Sequence, residues 1–199
     1  NSINTEALTA AASQPVTDRR IEKPFILSIG RLEETQKDVT TLIKAYALLR
    51  REYGHTEELY VIGKGDSLGQ LQQTAREDGV EKHVVFLGFM SNPLPWTKRC
   101  SLFVQSSHFE GLPTTMLEAL LLDKMIVASD CPTGPKEILN HGKAGILVPM
   151  CDAGALAKAM HEALTDRPLQ ERIAEGRAEH SRQFTFEVTG QKFMSLLDK

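Results

Sequence analysis

The sequence predicts an α/β fold with one parallel sheet of about six strands and helices on both faces, and three observations carry that expectation. Short apolar runs alternate with helical patterns along most of the 199 residues. The runs are apolar at nearly every position instead of every second one, as strands covered by helices on both faces must be. Turn residues, glycine above all, separate the runs from the helical patterns, as strand-to-helix crossovers require.

The elements follow in order. PFILSIG (24–30) is the first strand, and DVTTLIKAYALLRREYG (38–54) the helix that returns from it. ELYVIGKGD (58–66) leads to the helical SLGQLQQTAREDG (67–79), and HVVFLGF (83–89) to a proline-rich turn. SLFVQSS (101–107) precedes a helix that starts after Pro113; MIVASD (125–130) precedes a short helix in GPKEILNHG (134–142); GILVP (145–149) precedes helices from about Asp152 to the chain end. Residues 1–22 are small and polar without a strong apolar period, and read as a linker or frayed terminus. The folded unit is expected over 23–182, with a final helical segment over 183–199.

Composition excludes several classes. With 41% hydrophobic and 25% charged residues the chain is an ordinary globular one. Its 26 acidic and 23 basic residues are interspersed, giving a net charge of -3 and no basic stripe that would track a nucleic acid. Cys100, Cys131 and Cys151 form no CxxC pair and have no histidine at metal-ligand spacing, so no metal site and no disulfide framework is expected, in keeping with a reducing cytosol. No apolar run is long enough to span a bilayer.

In a parallel α/β sheet, ligands bind where strands end and helices begin, because helix starts present unpaired N–H groups there. Candidate residues cluster at those ends: Gly30, Arg31 and Lys37 after the first strand; Gly63, Lys64, Gly65 and Asp66 after the second; Gly88 after the third; 106–115 after the fourth; 130–137 after the fifth. The glycines of GKGD are no dinucleotide fingerprint, which would need the first strand and an acidic residue about 20 positions on, and no Walker loop; by themselves they read as a tight turn. Arg31 and Lys37 have two readings, solvated surface charges or a fork and a point charge converging on a diphosphate.

SSHFEGLPTTMLEAL (106–120) is the most informative stretch. Gly111 permits close backbone approach, and Pro113 fits a first helical position, where its missing N–H costs nothing. The N–H groups near Thr114 and Thr115 would then make an anion seat. Glu110 there could simply compensate the helix dipole, an effect of about 0.3–1 kcal/mol. Glu118, little over one turn inside, projects back toward the helix mouth, where sugar hydroxyls suit a carboxylate. His108 is expected to play a minor role.

SIGRLEETQKDVTTLIKAYALL, LYVIGKGD, VVFLGF, SSHFEGLPTTMLEAL, IVASDCPTGPKEIL and GKAGILVP stand in an order and spacing that resembles the C-terminal half of family 4 glycosyltransferases of the GT-B fold, over roughly residues 24–165. The bacterial branch that builds lipopolysaccharide, capsule or exopolysaccharide is the nearest in pattern. The resemblance implies a Rossmann-like, donor-binding half of a retaining transferase using a nucleotide sugar, with UDP-hexose or UDP-N-acetylhexosamine the expected class. It implies that Arg31 and Lys37 hold the diphosphate, that Glu110 contacts the donor sugar and Glu118 the ribose. It further implies that Gly111, Leu112, Pro113, Thr114 and Thr115 meet the phosphates, and that Gly30, Gly63, Gly65 and Gly88 border the nucleotide. GPKEIL departs from the common GIPEII-type form, so no role passes to Lys136 or Glu137.

No DxD-like clamp occurs in the chain, and the family transfers without a metal, so no cofactor is expected beyond the nucleotide-sugar substrate. Residues 1–22 would be the link from an N-terminal acceptor domain and 183–199 the helix crossing back to it. The unit alone would bind nucleotide and transfer little or nothing, in the cytoplasm, with peripheral membrane contact made elsewhere. Two alternatives are a GT-B-fold sugar-nucleotide epimerase and a non-catalytic nucleotide-sugar-binding module.

Overall fold

The computed structural model describes residues 3–185. Six strands, β1 (Phe25–Ile29), β2 (Glu58–Ile62), β3 (Val84–Gly88), β4 (Leu102–Gln105), β5 (Ile126–Ser129) and β6 (Ile146–Val148), form one sheet in the order β3-β2-β1-β4-β5-β6. Every pairing is parallel. The expected doubly covered sheet is therefore present, and its order reverses between β1 and β4, the switch point where such sheets open a crevice.

Helices are α1 (Thr5–Ala12), α2 (Glu34–Lys37), α3 (Val39–Tyr53), α4 (Leu68–Glu77), α5 (Leu94–Arg99), α6 (Thr114–Leu121), α7 (Pro135–Ile138), α8 (Ala153–Thr165) and α9 (Arg167–Ser181). Alternation along the strands divides the core in two. Ile26, Leu59, Val61, Leu102, Val104 and Val127 pack with Leu42 of α3, Leu71 of α4 and Met160 of α8. Phe25, Leu27, Tyr60, Ile62 and Phe103 point the other way, onto Trp96 of α5, Met116 and Leu120 of α6 and Ile138 of α7. Phe25 and Phe103 are wholly buried, each contributing about 1.5–3 kcal/mol by leaving water.

Three expectations are corrected. Residues 5–12 are no frayed end: α1 is capped by the Asn4 side chain on the Ala7 N–H, buries Leu8 and Ala12, and lies against α5. Its apolar period is weak because only Leu8 and Ala12 are buried while the other small residues face outward or are half-buried. The proline-rich turn after β3 continues into α5, since Pro93 and Pro95 occupy the cap and first turn, where a missing N–H costs little. A short α2 precedes the long helix expected from Asp38; Asp38 itself turns left-handed, φ 46°, between α2 and α3. The terminal helix expected over 183–199 lies outside the described residues from 186 on.

Among the described residues, no helix is long and apolar enough to cross a membrane.

Candidate active site

The residues after β1 and after β4 meet at the switch point. Two helices start there, and their N-termini differ. The first turn of α3 is closed by its own chain: Glu34 accepts from the Val39 and Thr40 N–H groups at 2.9 and 3.0 Å, and Asp38 Oδ1 from the Thr41 N–H at 3.2 Å. The start of α6 has no side-chain cap. Helix starts leave four orphan N–H groups, so α6 is the end able to receive an anion. Pro113 is its N-cap and not its first helical residue, one position from the sequence expectation, and the Leu117 N–H closes the first turn on the Pro113 carbonyl at 3.1 Å. Thr114 is exposed, Thr115 and Leu112 are half-buried, and a Cβ added at Gly111 would meet open space. Close approach at Gly111 therefore serves no neighbour within the chain.

Glu110 is buried, and one oxygen takes three donors. Lys37 Nζ reaches Glu110 Oε1 at 2.5 Å, Gln105 Nε2 at 2.6 Å and Ser107 Oγ at 2.6 Å. The backbone of Glu110 is also held, its carbonyl accepting from the Thr133 hydroxyl. Such a pair is costly to bury, and the extra neutral donors make it tolerable by satisfying the carboxylate. Glu110 is thus more than a dipole-compensating surface charge, and Lys37 is no solvated lysine.

Arg31 behaves differently. It is exposed, with Nη2 donating to Gln36 Oε1 at 3.0 Å and Nη1 lying 3.4 Å from Glu33. Arg31 and Lys37 line one narrow crevice with Gly30, Gln105 and Ser107. Lys37 lies across its floor, its Cε 3.3 Å from where a Gly30 Cβ would stand.

Glu118 lies on α6, half-buried. Among the described residues its carboxylate has no hydrogen-bond or ion-pair partner, and burial raises its pKa above the usual glutamate value. A carboxylate kept half-desolvated without a partner is destabilising for the fold. Unlike Glu34 and Glu110 beside it, this carboxylate finds no partner among the described residues.

Gly63 and Gly65 are structural as well as placed at a strand end. Gly63 has φ 152° and its N–H donates to the Gly88 carbonyl at 2.9 Å; a Cβ there would fall 1.8 Å from the Gly30 carbonyl oxygen. At Gly65 a Cβ would fall 2.3 Å from the Leu32 carbonyl oxygen. The turn expected of GKGD is thus also a backbone-to-backbone contact joining the ends of β1, β2 and β3. Gly88, φ 74°, has open space around it.

Sequence reasoning overlooked Gln105 and Ser129, which help to hold this site. Ser106 and Ser107, within the candidate stretch 106–115, are only 5% and 1% exposed, and Ser129 donates to the Ser107 carbonyl at 2.7 Å. Gln105 and Ser129 are polar residues ending apolar strands, the one signal that could have marked them. A cavity of about 590 Å³ beside this loop is lined by Asp130, Cys131, Lys136, Glu137 and His180, among others. A larger one, about 750 Å³, opens at the opposite end of the sheet among Arg19, Arg20, Lys82 and Glu58. Strand C-termini and helix starts, not room alone, make a ligand site in this architecture, so the switch point is the candidate.

The fold and crevice define a doubly wound α/β domain with an uncapped helix start at its switch point. The sequence model of glycosyl transferases group 1 matches residues 11–180, and the chain belongs to that family. It is 28% identical to a Campylobacter jejuni N-acetylgalactosaminyltransferase acting on a diphospho-undecaprenol-linked sugar, over 85% of this chain and 44% of that protein. It is 29% identical to the lipopolysaccharide core biosynthesis glycosyltransferase LpsE of Rhizobium meliloti, over 94% of this chain and 53% of that one. Anabaena HepE, solved in complex with UDP, superposes with a TM-score of 0.84 at 22% identity, covering all of this chain and 56% of its own. The chain spans about half the length of the curated relatives it matches.

Proposed function

We propose that this chain is the donor-binding half of a retaining glycosyltransferase that uses a UDP-linked hexose or N-acetylhexosamine in building a bacterial surface polysaccharide. The single observation that carries the reading is Glu118: an unpartnered, half-desolvated carboxylate one turn inside a helix whose start is uncapped. A diphosphate on the α6 N–H groups would bring a ribose toward that carboxylate, whose hydroxyls supply the missing partners. Relatives that act on lipid-linked and lipopolysaccharide acceptors, and a structural neighbour holding UDP, support the choice of substrates.

Departure of the nucleoside diphosphate concentrates negative charge on its outer phosphate while the sugar acquires oxocarbenium character. The α6 start and Arg31 meet the former, and loss of one such preorganised donor typically costs roughly 2.7–4 kcal/mol. Lys37 meets it while held by Glu110, whose other oxygen is left for the donor sugar. The transfer step in this reading needs no metal, since basic groups neutralise the diphosphate. The acceptor binds across a cleft on a second domain, linked through residues 1–22 and the 183–199 segment; this half alone binds nucleotide and turns over little. It works at the cytoplasmic side, with membrane contact made by the other half.

Calorimetric titration with UDP, ADP and GDP tests the reading. UDP binds selectively, and Glu118→Gln weakens it roughly 10- to 100-fold, the worth of a charge-assisted hydrogen-bond pair to the ribose. Equal UDP affinity in the variant overturns the placement. Stability moves the opposite way. Burial favours protonated Glu118 in the folded state, so its cost is fully present above the raised folded pKa and vanishes as pH falls below the ordinary value of 4.5. Glu118→Gln therefore unfolds at a higher temperature than the parent at neutral pH, and the gap closes as pH falls from the raised folded value to 4.5.

A further inference from the structure

At the same end of the sheet, three residues far apart in sequence come together: Asp38 before α3, His108 after β4 and Cys151 after β6. One potential metal-ligating atom from each lies within 4.8 Å of the other two. His108 Nδ1 is 3.5 Å from Cys151 Sγ and 3.8 Å from Asp38 Oδ2. Nothing in the linear order of residues marks the cluster, because the three positions share no short spacing and only the strand order brings their loops together.

Asp38 carries the argument. The residue is 6% exposed, and while Oδ1 caps α3, Oδ2 is buried without a hydrogen bond and faces His108. A buried carboxylate oxygen left bare is expensive unless something cationic completes it. His108 at 3.8 Å is too distant for a hydrogen bond. The separations fit a metal better. Bonds of about 2.0–2.2 Å to nitrogen and oxygen and about 2.3 Å to sulfur place tetrahedral ligands roughly 3.3–3.6 Å apart, close to the two distances here.

We propose that Asp38, His108 and Cys151 form a site for a borderline-soft divalent cation of the zinc class, with the fourth position open to solvent on the side of exposed Cys151. Thiolate, imidazole and carboxylate together select such an ion over magnesium, which takes oxygen ligands and near-octahedral geometry. The site is therefore distinct in chemistry from a diphosphate-bridging magnesium. Its effect is mechanical: it ties the loop carrying Glu110 to the loops entering α3 and α8. Binding deprotonates the Cys151 thiol, so one proton leaves as the ion enters.

The whole chain, reduced and stripped of metal, is titrated with zinc against a chromogenic chelator, and separately with cobalt(II) followed by absorption. The expected result is one equivalent bound with a thiolate-to-cobalt charge-transfer band. Cys151→Ser abolishes the band, and each of Cys151→Ser, His108→Asn and Asp38→Asn weakens zinc by more than the roughly 10- to 100-fold that loss of an outer-shell partner costs. Asp38→Asn keeps the cap and tolerates the left-handed backbone, and Cys151 is at the surface, so circular dichroism of these variants matches the parent. Absence of saturable uptake, or uptake unchanged in Cys151→Ser and His108→Asn, overturns the site and leaves Asp38 and His108 a simple ion pair. Neither outcome touches UDP binding, which is measured independently.

Discussion

Lys37→Met is expected to destabilise the domain by about 3–5 kcal/mol, the usual consequence of stripping one partner from a buried ion pair. Glu110 is 7% exposed, and without the ammonium at 2.5 Å its charge is left to Gln105 and Ser107, which are neutral donors. Glu110→Gln is milder. The amide oxygen still accepts from Gln105 and Ser107, and the lysine, with 16% of its side chain exposed, regains water. The double variant Lys37→Met/Glu110→Gln recovers most of the loss, because no buried charge is left unpaired. Denaturant unfolding of all four proteins checks this. A double variant as unstable as Lys37→Met alone would show that packing of the lysine stem, and not the ion pair, holds the two loops together.

Gly63→Ala is the second large effect. Its Cβ would stand 1.8 Å from the Gly30 carbonyl oxygen and 3.0 Å from the carbonyl carbon, both backbone atoms that cannot rotate away. The φ of 152° adds strain for any residue with a side chain. Overpacking and backbone strain cost about 1–3 kcal/mol each, so a total of roughly 2–6 kcal/mol is expected, a large part of the stability of any domain this size. Relief would require parting Gly30 from Ile62, whose carbonyl accepts from the Gly30 N–H at 3.0 Å, and would open the mouth of the crevice. Gly111→Ala is the matched control, since its Cβ meets open space. Thermal unfolding should separate the two variants by many degrees; equal midpoints would refute the close contact.

Much of this molecule was legible in its residues. Runs such as FILSI and ELYVI are apolar at nearly every position, which requires cover on both faces and so a parallel sheet with helices either side. Strand ends and helix starts were marked by Gly30, Gly63 and Pro113 within a residue or so. Local chemistry also picked out Glu118, because a charge between Leu117 and Ala119 has no packing reason to be there. Where local signals were silent the reading failed: α1 buries only Leu8 and Ala12, and α5 begins among prolines that look like a turn.

The sequence by itself determined the period of each element and which residue types lie at each strand end, because both are set within a few residues by backbone geometry and side-chain burial. Only the tertiary structure decided partnership. That Lys37 faces Glu110 across 73 positions, that Ser106 and Ser107 are buried, and that Cys151 reaches His108 all depend on β4 pairing with β1 and on the β6 loop folding back over that end. Strand order is fixed by the summed burial of the whole core, a quantity spread over the chain and written in no single stretch of it.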